Sequence, residues 1–216
     1  MNLIHDILNP VTIIGAVGLV GVWLIVFAES GLFFGFFLPG DSLLFTAGFL
    51  ASQNFFPSFS LWHIVPPVIV LFIGALIAAI AGDNVGFLFG RKIGPAIFTK
   101  KDSLFFDKKY PVSAQKFYDR HGKKTIIFAR FVPIVRTFAP IIAGVGSMNY
   151  RTFFSYNIIG AVIWTALTVF LGFFLGKTIP NAENYITPLV VFIILVSFIP
   201  AVFHLVRERH ERRETN

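Results

Sequence analysis

The sequence predicts an all-helical integral membrane protein, because charge is scarce, uncharged runs are as long as a bilayer is thick, and basic residues collect where those runs end. Of the 216 residues, 56% are hydrophobic and 13% are charged, whereas a soluble domain carries about 25% charged residues. The net charge of +7 lies at the ends of apolar segments. This distribution favours a membrane surface over nucleic acid as its partner.

Uncharged segments predict the membrane crossings. Val11–Ala28 has eighteen residues without a charge, close to the ~20 residues that cross a bilayer as a helix. Three further crossings are predicted at Pro66–Gly82, with the helix continuing to Gly90, at Thr152–Gly176 and at Ile186–Val206.

Two apolar segments contain helix-breaking residues and predict re-entrant hairpins. Gly31–Ala51 is broken at Pro39-Gly40-Asp41, and each half reaches about 15 Å, or half of the bilayer, at 1.5 Å per residue. Thr125–Ser147 carries Pro133 and Pro140 and predicts a second hairpin. Backbone of this kind must be shielded from lipid by protein or by water.

An internal repeat relates the two halves of the chain. Gly74–Ile93 and Gly160–Ile179 align at an offset of 86, with seven of twenty positions identical. Each half is therefore predicted to hold a hairpin followed by a long helix, with repeat 1 at about residues 29–94 and repeat 2 at about residues 125–180. Hairpins that enter from opposite faces make an inverted repeat, which is typical of transporters. The alternative to a true repeat is chance similarity in a chain rich in Gly, Phe and Ile. The whole chain, 1–216, is predicted to form one membrane domain.

The distribution of Lys and Arg predicts the orientation. Residues 91–124 hold ten Lys and Arg against three Asp, and the tail at 207–216 is also rich in Arg. Both are predicted to be cytoplasmic, which places the N-terminus inside as well. The first hairpin then dips from the outside and the second from the cytoplasm.

Five charged side chains lie within apolar segments: Glu29, Asp41, Asp83, Arg130 and Arg136. A charge at the bilayer centre costs at least about 2.5–3.5 kcal/mol, so each needs a partner or a cavity. If the hairpin tips meet, Glu29 and Asp41 face the two arginines. A carboxylate held between burial and a positive charge is suited to carrying a proton, and a pair of arginines offers forked donors that match phosphate.

Simpler interpretations of these residues remain open. The acids and bases can be buried ion pairs that only fix the fold, and Asp83, predicted to lie nearer the cytoplasmic end, can serve helix packing. Gly40-Asp41-Ser42-Leu43 matches the signature of some hydrolases, but a catalytic Ser needs a positioned His, and the five His lie in loops or at segment ends. The sequence predicts no enzyme, no metal site, no cofactor and no nucleic-acid partner.

A specific set of residues resembles the bacterial DedA family, also described as SNARE-associated or VTT-domain membrane proteins. The resemblance covers about residues 25–180 and is carried in the first half by Glu29, Phe37-Leu38-Pro39-Gly40-Asp41-Ser42, Gly82-Asp83, Gly86-Phe87, Gly90-Arg91 and Gly94. In the second half it is carried by Phe128, Arg130-Phe131, Pro133, Arg136, Ala143-Gly144, Met148, Phe153, Asn157, Gly160 and Trp164. The family is similar to the domain of eukaryotic endoplasmic-reticulum lipid scramblases.

The resemblance implies a bacterial plasma-membrane protein with two re-entrant hairpins. Family members are linked to proton-dependent transport and to envelope integrity, and some are implicated in returning undecaprenyl phosphate across the membrane. It also implies that Glu29, Asp41, Arg130 and Arg136 are essential. Asp83 and Asn157 are possible accessory residues.

The leading hypothesis is a proton-linked translocase of an anionic lipid such as undecaprenyl phosphate or a phospholipid. Arg130 and Arg136 bind the phosphate in this hypothesis, while Glu29 and Asp41 exchange protons. The alternatives are a proton-coupled antiporter of small cations or drugs, in which the arginines form a gate, and a non-transporting envelope scaffold. A homo-oligomer is compatible with each of these hypotheses.

Overall fold

A computed structural model describes residues 10–32, 40–53, 55–56, 65–98 and 124–178. Within these ranges every regular element is a helix, as the sequence predicts. The helices are α1 (Pro10–Gly31), α2 (Gly40–Ser52), α3 (Pro67–Phe98), α4 (Thr125–Ala129), α5 (Pro133–Val145) and α6 (Tyr150–Thr178).

Three of these helices are long and apolar enough to cross a membrane. The candidate spans have 19 residues in α1, 27 in α3 and 29 in α6, and they coincide with three of the predicted crossings. The predicted end of α3 at Gly90 is wrong, because the helix continues to Phe98. Arg91 and Lys92 are exposed, so their charge does not stop the helix. The fourth predicted crossing, Ile186–Val206, lies outside the described residues.

The outward faces of the three long helices are apolar. Leu24 on α1 is 62% exposed, Ile77 on α3 is 62% exposed and Phe174 on α6 is 60% exposed. Large aliphatic and aromatic side chains in such numbers on an outer surface suit hydrocarbon rather than water. The chain is therefore a membrane protein whose long helices present apolar faces to lipid.

A helix begins at each of the two predicted breaks. α2 begins at Gly40, within the predicted interruption, while residues 33–39 lie outside the described ranges. In the second segment α4 ends at Ala129 and α5 begins at Pro133, because proline is favoured in the first turn, where its missing N–H has no helical partner. That the chain reverses at these breaks to form hairpins stays a prediction.

Each short helix packs against the long helix of the other half. α2 lies along α6, and α5 lies along α3. Glycine permits both approaches: a Cβ at Gly48 on α2 would overlap the backbone of Val169, and a Cβ at Gly144 on α5 would overlap the backbone of Phe87. The two halves thus use the same kind of contact, whereas the inverted orientation of the repeat stays a prediction.

A third close approach joins the end of α1 to the middle of α3. A Cβ added at Gly82 would lie 2.6 Å from the carbonyl oxygen of Phe27 and 3.1 Å from the backbone nitrogen of Gly31. These are backbone atoms, so a side chain would push the helices apart. The approach brings Glu29, near the end of α1, against the part of α3 that carries Asp83.

Replacing Gly82 with Ala should therefore destabilise the protein by about 1–3 kcal/mol, as overpacking does in well-packed cores. Thermal unfolding in detergent measures the effect. Gly15→Ala is the matched control, because a Cβ there would meet only Phe55 Cζ, at 3.9 Å. An equal melting temperature for the two variants would contradict the proposed close packing of α1 on α3.

Candidate functional site

Arg136 on α5 is held by two carboxylates from different helices. Its Nη2 pairs with Glu29 Oε1 at the end of α1, and its Nη1 pairs with Asp41 Oδ1 at the start of α2. The Arg136 side chain is only 5% exposed. Pairing is what allows a guanidinium to be this deeply buried, because an isolated buried charge is strongly unfavourable.

Arg130 lies at the break after α4 and has different partners. Its Nη1 lies 2.6 Å from Asp83 Oδ2 on α3. The same nitrogen donates to the backbone carbonyl of Asn157 on α6 at 3.2 Å and also to the Asn157 side-chain oxygen. The guanidinium therefore joins α3 and α6 through one carboxylate and two neutral acceptors.

Trp164 on α6 lies beside both arginines. Its Nε1 donates to Asp41 Oδ1 at 3.1 Å, and the guanidinium carbon of Arg136 lies 4.7 Å from the centre of its ring. The corresponding distance for Arg130 is 6.0 Å. Both distances are within the range of cation–π attraction, so one indole contacts both ion-pair systems.

The charged cluster, defined as Glu29, Asp41, Asp83, Arg130 and Arg136, lies between two apolar clusters. Along α3, Ala79 belongs to the larger apolar cluster and Phe87 to the smaller one, and Asp83 comes between them. Asp83 lies at the middle of the 32-residue α3. That Asp83 lies nearer the cytoplasmic end stays a prediction; within the candidate span Pro67–Ile93 it is closer to the C-terminal end.

The carboxylates of the charged cluster differ in how much of each side chain is exposed. The Asp41 side chain is 26% exposed, whereas that of Glu29 is 8% exposed and that of Asp83 is 7% exposed. Asp41 is consequently the most exposed carboxylate of the charged cluster.

Two buried donors next to the ion pairs have no acceptor among the described residues: Arg136 Nε and Asn157 Nδ2. A buried donor without a partner is unfavourable. Oxygen atoms of a bound anion would satisfy such donors. The arrangement can thus hold protons on carboxylates and offers donors from Arg136 and Asn157 to an anionic oxygen.

The structure brings the sequence-predicted residues together in a specific way. Glu29 and Asp41 contact Arg136, as expected if acids and bases meet, but Arg130 contacts Asp83 instead. Sequence reasoning did not find this pairing, because which acid meets which arginine depends on how the helices pack against one another. It also assigned no role to Trp164, although an indole in the middle of an apolar span is a signal in itself.

The hydrolase-like Ser42 is buried on α2, at 3% exposure. The five histidines lie outside the described residues. The expectation that this serine is not catalytic therefore stays a prediction.

Comparison with known proteins agrees with this architecture. The VTT domain matches residues 38–174, a range that contains Asp41, Asp83, Arg130 and Arg136. Protein DedA of Escherichia coli (strain K12) is 46% identical over 195 residues, which cover 88% of this chain and 85% of that protein.

More distant relatives are also named as membrane proteins. The uncharacterized membrane protein Rv0364 of Mycobacterium tuberculosis (strain ATCC 25618 / H37Rv) is 41% identical over 216 residues, covering 96% of this chain and 90% of that protein. Inner membrane protein YqjA of Escherichia coli (strain K12) is 30% identical over 184 residues, covering 85% of this chain and 79% of that protein. No solved structure matches the chain. The extent of these matches shows that the chain belongs to the DedA family of VTT-domain membrane proteins.

Proposed function

We propose that the protein is a proton-linked translocase of an anionic lipid phosphate, such as undecaprenyl phosphate or a phospholipid headgroup. The observation that carries the proposal is the double pairing of Arg136 with Glu29 and Asp41. Both terminal nitrogens of this guanidinium are occupied by groups that can take up a proton. The cargo crosses the membrane chemically unchanged, so the protein acts as a transporter and not as an enzyme.

Phosphate and the two carboxylates compete for the same donors. A guanidinium binds phosphate through its forked N–H groups, and at Arg136 those groups already point at Glu29 and Asp41. Protonation removes the charge from a carboxylate and weakens its hold on Arg136. Protons and phosphate therefore bind together and leave together, which links lipid movement to the proton gradient.

Charge balance supports the same coupling. With all groups ionised, three acids and two arginines leave one unit of negative charge. Protonating Glu29 and Asp41 converts this into one unit of positive charge, with Asp83 still opposing one arginine. A phosphate group, which carries about one to two negative charges near neutral pH, is then close to neutralised by the cluster.

The proposed route uses the two broken segments as hairpins that dip from opposite leaflets. Support comes from the way α2 and α5 both begin near the charged cluster and pack against long helices of the other half. In this arrangement the site opens alternately to each side of a bacterial plasma membrane. The N-terminus and the basic tail at 207–216 are cytoplasmic in the proposal, and the protein functions alone or as a homo-oligomer.

Replacing Arg136 with Lys should slow the movement of labelled undecaprenyl phosphate in reconstituted vesicles by at least about tenfold. Lys keeps the positive charge but loses the fork that binds two oxygens at once. Arg151→Lys, at an exposed position on α6, is the matched control and should transport normally. Wild-type transport by a correctly folded Arg136→Lys variant would exclude the proposed phosphate contact.

Asp41→Asn should abolish the response of transport to an imposed pH gradient. The amide cannot exchange a proton, and its neutral oxygen holds Arg136 less strongly than the carboxylate does. Phosphate binding should therefore persist but vary less with pH than in the wild type. Lipid flux measured in vesicles with and without a gradient tests this, and undiminished coupling in the variant would remove Asp41 from the proton path.

The excess negative charge of the fully ionised cluster also favours a second candidate function, a proton-coupled antiporter of small cations or drugs. The two candidates predict different ligands. For the translocase, polyprenyl phosphate or an anionic phospholipid should raise the melting temperature of the purified protein, whereas salts of small cations should not. Stabilisation by a cation alone, with no effect of lipid phosphate, would favour the antiporter over the proposed function.

A further inference from the structure

We propose that Trp164 is a positioning residue that couples the protonation of Asp41 to the release of Arg136. The proposal rests on the proposed function, in which these two side chains exchange protons and phosphate. Asp41 and Arg136 can form an ion pair without a third residue. The structure nevertheless places one indole in contact with both.

The contacts of Trp164 are specific to its chemistry. An indole has one donor, Nε1–H, and here that donor points to the same Asp41 oxygen that pairs with Arg136. The ring face, meanwhile, lies 4.7 Å from the guanidinium carbon of Arg136. The N–H therefore stabilises the ionised carboxylate, while the π-system stabilises the cation where the carboxylate holds it.

Comparison with Trp23 on α1 argues that this contact is more than packing. The Trp23 Nε1 is also buried, but it has no hydrogen-bond partner among the described residues. Burial of a tryptophan in this protein thus does not by itself supply an acceptor. Trp164, the middle residue of α6, has an acceptor because it lies against the charged cluster.

The effect of pH at Trp164 follows from the charged cluster that it contacts. The indole lies against Asp41 on α2, Arg130 after α4 and Arg136 on α5. These residues pair in turn with Glu29 on α1 and Asp83 on α3. Of the three acids, Asp41 is the one that bonds to the indole and the one most exposed to water. Proton uptake by Asp41 weakens both its bond to Nε1 and its hold on Arg136, which then keeps the ring and Glu29 as partners.

The first test compares Trp164→Phe with Trp23→Phe in reconstituted vesicles. Phe keeps an aromatic face but removes the N–H that favours the ionised carboxylate. The pH profile of lipid transport should therefore move toward higher pH by up to about one unit, a tenfold change in proton concentration. Trp23→Phe should leave the profile in place. An unshifted profile for a folded Trp164→Phe variant would overturn the proposal, because a purely structural role changes the amount of active protein and not its pH dependence.

The second test needs no transport and separates failure of this inference from failure of the proposed function. Trp164 is made the only indole by the changes Trp23→Phe and Trp62→Phe, and its fluorescence is recorded across a pH titration in detergent. The emission should change with pH, and Asp41→Asn should remove most of that change. An emission spectrum that changes neither with pH nor on Asp41→Asn would contradict the inference, even if the protein transports lipid. The expected response would support the inference, even if the protein transports another cargo.

Discussion

The burial of Arg136 is the constraint on which the arrangement of the helices depends. A guanidinium inside a membrane protein needs an opposite charge close by, and removing one member of a buried pair costs about 3–5 kcal/mol because it leaves the other uncompensated. Its two partners come from α1 and α2, while the arginine itself comes from α5. The consecutive helices α1 and α2 must therefore meet the distant α5 at one point, and the glycine contacts of α1 with α3 and of α5 with α3 allow them to come that close.

The helix breaks place Asp41 and Arg136 near helix starts, where the backbone field matters. Asp41 lies in the first turn of α2, where free N–H groups and the positive end of the helix dipole stabilise a carboxylate. Arg136 lies near the start of α5, where the same field opposes its positive charge. The arginine consequently depends on Asp41 more than Asp41 depends on the arginine.

The sequence predicts features that extend along the chain, such as membrane crossings, better than contacts between side chains on different helices. The crossings in α1, α3 and α6 follow from long uncharged runs, and the break before α5 follows from Pro133. Charges inside apolar segments identified all five members of the charged cluster. The pairing of Arg130 with Asp83 could not be predicted, because it depends on how the helices pack against one another and not on a local sequence pattern. Trp164 could have been singled out as an indole in the middle of an apolar span, but the groups that it contacts depend on the positions of the other helices.

The two arginines differ in what holds them, and this difference divides their roles in the proposed cycle. Arg130 has Asp83 and two neutral oxygens of Asn157 as acceptors. Its hydrogen bonds to Asn157 therefore do not depend on the protonation of a carboxylate. Arg136 has only carboxylates as hydrogen-bond acceptors among the described residues, so protonation loosens all of those bonds. Protonation of Glu29 and Asp41 thus frees Arg136 in the proposed cycle, while Arg130 stays anchored between α3 and α6. A phosphate bound between them would keep its contact with Arg130, while deprotonation and protonation of the carboxylates would break and restore its contact with Arg136.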